Sequence, residues 1–238
     1  RKVKQVRRSF VFLNLGAAES VPAALVVFDR VESSDSTFGK YWLLHGMEEP
    51  KIDGGRVTFD LTQRGWSGRL AGEILLPEAA DRKVTKVGGP GREFEVFGRN
   101  FPSKPRRNPE QYEMGEWRVE VSPRQARPVD LFLNVLQVTD TGNSRLHEVK
   151  KIEAGPLVGV SLAGRVALFA REGARLGGTL SFQLSGASVN HKVLVTDLSA
   201  GAWQVRLNGR VLIPAAMVSE DSGALCFEGP SGTYELRR

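Results

Sequence analysis

Apolar segments of four to ten residues follow one another along the whole chain, each closed by glycine, proline, aspartate or asparagine, and no segment carries an apolar repeat of helical length. Side chains alternate across a strand with period two, whereas a helix needs a sustained period near 3.6, so this punctuation selects strands. "GEWRVEVSP" shows the pattern clearly: Trp117, Val119 and Val121 alternate with Glu116, Arg118 and Glu120, giving one face for a core and one for water. "AWQVRLNG" repeats it with Trp203, Val205 and Leu207. "FVFLNL" (10–15) and "ALVVFDRV" (24–31) are apolar at nearly every position and are expected as central strands covered on both faces. Further strands are expected at 40–46, 56–62, 68–76, 83–88, 92–98, 129–139, 146–153, 157–171, 178–185, 191–197, 223–228 and 232–237.

Strands that recur this often, with no helix between them, imply an all-β fold built as a large antiparallel two-layer β-sandwich. "DGG" at 53–55 and "LNGR" at 207–210 supply the residues that tolerate positive φ and predict hairpins. The stretch 99–115, "RNFPSKPRRNPEQYEMG", has three prolines and the cations Arg99, Lys104, Arg106 and Arg107, so it reads as a loop. Gly155 and Pro156 mark a boundary, dividing a sandwich of residues 1–155 from C-terminal strands at 156–238 that either complete it or form a small second β unit.

The 238 residues are 41% hydrophobic, enough to bury a large core, and 33 basic against 27 acidic residues leave a net charge of +6. That excess permits attraction to polyanions, but basic and acidic residues are intermixed, and the interleaved basic and aromatic surface of a single-strand nucleic-acid binder is missing. No apolar run approaches the roughly 18 residues of a membrane-spanning helix. Neither nucleic acid nor a membrane is therefore expected as a partner. The single cysteine, Cys226 in "GALCFEG", excludes an internal disulfide framework and is expected inside a buried strand. Residue 1 is arginine and the first strand begins almost at once, which suggests a piece of a longer polypeptide.

Familiar catalytic signatures are absent. "VGGPGREF" leads into another strand rather than a helix N-terminus, so it is a turn and not a phosphate loop. There is no paired-histidine or paired-cysteine metal motif, and the three histidines stand apart at 45, 147 and 191, so no metal or cofactor is expected in this segment. In "KYWLLHGMEEP" alternation puts Tyr41, Leu43 and His45 on one face. Tyr41 and His45 cannot act as an acid/base pair, because four strand residues span about 13 Å. His45 is expected as a structural residue bonded to a carbonyl or carboxylate. Asp60 is expected to face solvent, as are His147 and His191.

Several stretches are similar to the β-sheet region of the heparinase II/III-like polysaccharide lyases: "RRSFVFL", "ALVVFDRVESSD", "KYWLLHGMEEPKIDGGRVTF", "GRLAGEILLPE", "KVGGPGREFEVFGRN", "DLFLNVLQVTD", "DLSAGAWQVRLNG" and "SGALCFEGPSGTYEL". The resemblance implies a parent protein in which an N-terminal α/α toroid packs on a β-sandwich and cleaves uronic-acid polysaccharides by β-elimination. The family's His-Xaa-His and His-Asn-Thr motifs do not occur in this chain, so no catalytic residue is carried over. His45 matches a histidine common at the end of its family strand, and Asn134 stands where many relatives have histidine.

By this resemblance the chain is expected to be the C-terminal sandwich region of such a lyase, a scaffold inactive by itself, secreted or periplasmic, with an acidic polysaccharide and the missing toroid as partners. His45, Arg99, Lys104, Arg106 and Arg107 are its candidate glycan-contacting residues. A non-catalytic carbohydrate-binding module, with Trp66 or Tyr112 as a stacking platform, is the alternative.

Overall fold

Strands make up every regular element of the computed structural model, which describes residues 1–17, 19–63, 65–102, 115–143, 145–186 and 190–238. They divide into two units, Arg1–Leu146 and His147–Arg238.

The first unit contains β1 (Val3–Asn14), β2 (Ala23–Ser33), β3 (Trp42–Gly46), β4 (Lys51–Asp53), β5 (Arg56–Gln63), β6 (Trp66–Leu76), β7 (Arg82–Gly88), β8 (Glu95–Val96), β9 (Arg99–Asn100), β10 (Trp117–Pro123) and β11 (Val129–Thr139). A six-stranded sheet of order β1-β2-β11-β6-β5-β4 faces a three-stranded sheet of order β3-β10-β7, and β8 and β9 form a separate small hairpin. Trp42, Val119 and Val121 from the smaller sheet meet Val57, Phe59, Ile74, Phe132 and Leu136 from the larger. This is the expected two-layer sandwich, each sheet contributing the apolar half of an alternating pattern.

The second unit contains β12 (Val149–Ala154), β13 (Leu157–Leu162), β14 (Arg165–Ala170), β15 (Thr179–Leu184), β16 (His191–Val195), β17 (Gly201–Leu207), β18 (Arg210–Val218), β19 (Leu225–Gly229) and β20 (Gly232–Arg237). Sheets of order β12-β13-β14-β16-β19 and β15-β20-β17-β18 enclose a second core around Trp203, Tyr234, Phe182, Phe227, Leu168 and Leu198. All its named strand pairs are antiparallel except β14 with β16. Two aromatics are tied down in the same way: the Trp203 indole donates to the Ser199 carbonyl at 2.9 Å and the Tyr234 hydroxyl to the Pro230 carbonyl at 2.6 Å, each four residues upstream.

Several expectations need correction. The boundary falls after Leu146 rather than at Gly155, because β12 pairs along its full length with β13 and Gly155 and Pro156 form the turn between them. The expected strand 157–171 is a hairpin, broken where Ala163 and Gly164 both take positive φ. The expected strand 92–98 is reduced to one arm of the β8–β9 hairpin. β1 is an edge strand rather than a central one: among the described residues it pairs only with β2, and Phe10 and Phe12 are exposed. Its apolar sequence states what its side chains prefer, while coverage depends on neighbours that no described residue supplies. Cys226 lies on β19 but points outward. β18 was hidden by Pro214, which is tolerated because β18 is itself an edge.

Candidate functional site

β3 and β10 run antiparallel with His45 opposite Arg118 and Leu43 opposite Glu120. Trp42 and Val119 turn into the core, so alternation sends Tyr41, Leu43, His45, Arg118 and Glu120 to the outer face of the three-stranded sheet. There the β8–β9 hairpin, through Glu95, Val96, Phe97 and Gly98, walls a cavity of about 410 Å³. Arg118 ties the wall to the floor: its Nε donates to Glu120 Oε1 at 2.8 Å and its Nη2 to the Glu95 carbonyl at 2.8 Å.

The carbonyl or carboxylate partner expected for a structural His45 is not found among the described residues. His45 is exposed to this cavity, and its ring makes no hydrogen bond to a described residue. Partial burial holds its imidazole below the ordinary histidine range, the Arg118 charge pushes the same way, and Glu120 opposes both. At neutral pH it is an uncharged ring with one donor and one acceptor, suited to hydroxyl groups.

Among the other candidates, Arg99 sits on β9 with its guanidinium 4.8 Å from the Phe101 ring centroid, beside the cavity rather than in its lining. Lys104, Arg106, Arg107 and Tyr112 lie outside the described residues. Trp66 is 81% exposed on β6. Asp60 accepts two hydrogen bonds from Arg69, at 2.6 and 3.0 Å, and these hold its carboxyl below the usual range; it is a surface ion pair. His191 is buried rather than exposed, its Nε2 lying 3.0 Å from Ser231 Oγ, which itself donates to the Gly186 carbonyl. Asn134 is buried, with neither amide atom hydrogen-bonded. Among the described residues no three of His, Cys, Asp and Glu gather in a cluster able to hold a metal ion.

Nothing in the sequence marked Glu120, Arg118, Phe97 or Leu43 as site residues. Arg118 and Glu120 were visible only as the polar half of an alternating strand, which looks the same whether that face meets bulk water or a walled cavity.

Paired, predominantly antiparallel sheets enclosing separate cores, with a walled cavity on an outer sheet face, define a protein of the β-sandwich class. Residues 151–238 match the family model of the heparinase II C-terminal domain, which takes in the second unit from within β12 onward. Over those residues the chain is similar to the heparinase II C-terminal domain, in line with the part of the resemblance that falls there. No curated protein matches the chain.

Proposed function

We propose that this chain is the β-sandwich scaffold of a polysaccharide lyase that cleaves uronic-acid polymers by β-elimination, and that its outer-face cavity contacts the glycan without performing the chemistry. The match of residues 151–238 to the heparinase II C-terminal domain supports the lyase context, and the glycan-contact role of the cavity, which lies in the first unit, rests on its own lining. Elimination requires neutralisation of a uronate carboxylate, removal of the C5 proton and protonation of the departing oxygen. His45 has no described carboxylate or carbonyl to fix its tautomer, and Arg118 is already engaged by Glu120, so the cavity suits binding better than proton transfer. The parent acts outside the cytoplasm, where such polymers occur, and an N-terminal toroid supplies the acid and base; this segment needs no cofactor for its part.

The test is direct. The 238-residue chain is incubated with alginate, heparan sulfate, hyaluronan and ulvan while the ultraviolet absorbance of unsaturated uronates is followed. No turnover is expected, and sustained turnover would refute the scaffold reading. Affinity electrophoresis against the same polymers examines binding: retardation lost in His45→Ala supports the cavity. Retardation lost only in Trp66→Ala supports instead a carbohydrate-binding module using that exposed indole.

A further inference from the structure

Among the described residues, three two-residue hairpin turns hold both residues at positive φ: Ala163–Gly164 at 47° and 71°, Asn208–Gly209 at 49° and 79°, and Phe97–Gly98 at 49° and 80°. Turns of this kind favour Asn-Gly, because positive φ crowds a Cβ against the backbone and is least tolerated by bulky side chains. Asn208–Gly209 follows the preference. Phe97 violates it and gains no burial in return, being 96% exposed. A large apolar ring kept in an unfavourable backbone conformation and left in water adds nothing to folding, which directs attention to what the ring faces.

Phe97 lines the His45 cavity and also a neighbouring one of about 520 Å³, and Tyr41, itself 53% exposed, lines both as well. The two cavities thus meet at this aromatic pair. Their chemistry differs. In the second, Arg8 is fixed by two hydrogen bonds to buried Asp29, at 2.6 and 2.8 Å, and Glu32 is held by Lys4 at 3.6 Å and Arg30 at 3.2 Å. Lys2, whose ammonium lies 5.4 Å from the Phe38 ring centroid, has no carboxylate partner among the described residues. The second cavity is therefore cationic, with Lys2, Arg8 and Lys40 against Asp29 and Glu32 in its lining, whereas in the first Arg118 is matched by Glu120 and the Glu95 carboxylate by Arg92.

We propose that Tyr41 and Phe97 form a stacking saddle that joins the two cavities into one groove for a linear acidic oligosaccharide. Pyranose rings lie with their C–H faces against the two aromatics, a carboxylate meets Lys2 and Arg8 in the cationic lobe, and hydroxyls meet His45 and Arg118 in the other. Each lobe falls within the size range of small-molecule sites, about 300 to 1,000 Å³. This deepens the proposed function and rests on its reading that this face meets glycan.

Isothermal titration of the full chain with a mannuronate tetrasaccharide, and with cellotetraose as the neutral control, tests it. The acidic tetramer is expected to bind more tightly, with an advantage that shrinks as salt is raised. Phe97→Asn creates the preferred turn sequence while removing the ring; it is expected to weaken binding about tenfold while hydrogen-exchange protection of residues 95–100 is retained or increased. Phe97→Trp is expected to stay within about threefold of the wild type. Wild-type affinity in Phe97→Asn, alongside lost affinity in His45→Ala, overturns the saddle and leaves the glycan-facing cavity standing. Binding of neither tetrasaccharide overturns both.

Discussion

Replacing Tyr234 by phenylalanine isolates one hydrogen bond in the core of the second unit. The ring is fully buried, stacked on Phe182 at 5.3 Å and 12° and tilted against Phe227 at 5.4 Å, and phenylalanine keeps both contacts. Only the hydroxyl is lost, and with it the 2.6 Å bond to the Pro230 carbonyl that closes the turn between β19 and β20. A net hydrogen bond contributes about 1 kcal/mol, and a carbonyl left poorly solvated adds a further fraction, so Tyr234→Phe is expected to cost about 1 to 2 kcal/mol. Tyr234→Ala, which also empties the ring's volume and removes the stacking, is expected to cost about 3 to 5 kcal/mol. Urea unfolding, with hydrogen exchange of residues 225–237 as a reporter of the second unit, measures both.

A pH series sharpens the test. Burial raises the Tyr234 phenol above its ordinary range, so the native state keeps its proton at pH values where the unfolded chain releases it. Its contribution to stability is therefore complete below about pH 10 and falls as pH rises through the folded pKa. The gap between wild type and Tyr234→Phe should narrow above pH 10. A cost below about 0.3 kcal/mol, or a gap that stays constant from pH 9 to pH 11, would refute the assignment of this hydroxyl as a structural bond.

Gly159→Ala is expected to destabilise the second unit by about 3 kcal/mol in thermal unfolding, because the added Cβ overlaps the backbone carbonyl of Ala167, which no rotamer change relieves. Lys40→Met removes the ammonium now 2.9 Å from the buried Asp130 carboxylate and leaves it only the partly exposed Arg127 guanidinium at 3.4 Å, a loss of about 3 kcal/mol in urea unfolding. Burial pushes the His191 imidazole below the usual histidine range, so its neutral form supports the fold fully above the unfolded value of about 6.5, and that support is lost as pH falls through the folded pKa. Protection factors at β16 and β19, taken relative to the intrinsic exchange rate at each pH, should fall between pH 7 and pH 5 in the wild type and lose that component in His191→Leu. Asp60→Asn should cost at most about 1 kcal/mol at pH 7, and nothing once acid has protonated the carboxylate that Arg69 holds ionised.

Strand identity was legible in the sequence wherever local chemistry sets it. The alternation at 117–121 and 203–207 and the turn residues Gly54, Asn208 and Gly209 fall where the chain is paired or reversed, because side-chain period and positive φ are properties of a few adjacent residues. Coverage was not legible, because it depends on partners distant in sequence. Phe10 and Phe12 look like core residues and are left exposed on an edge strand, whereas His191 looks like a surface residue and lies under Ser231, 40 residues downstream. The cavity obeys the same rule. Tyr41, His45, Phe97 and Arg118 become neighbours only when β3 and β10 pair and the β8–β9 hairpin folds over their outer face, a consequence of long-range register that no local pattern encodes.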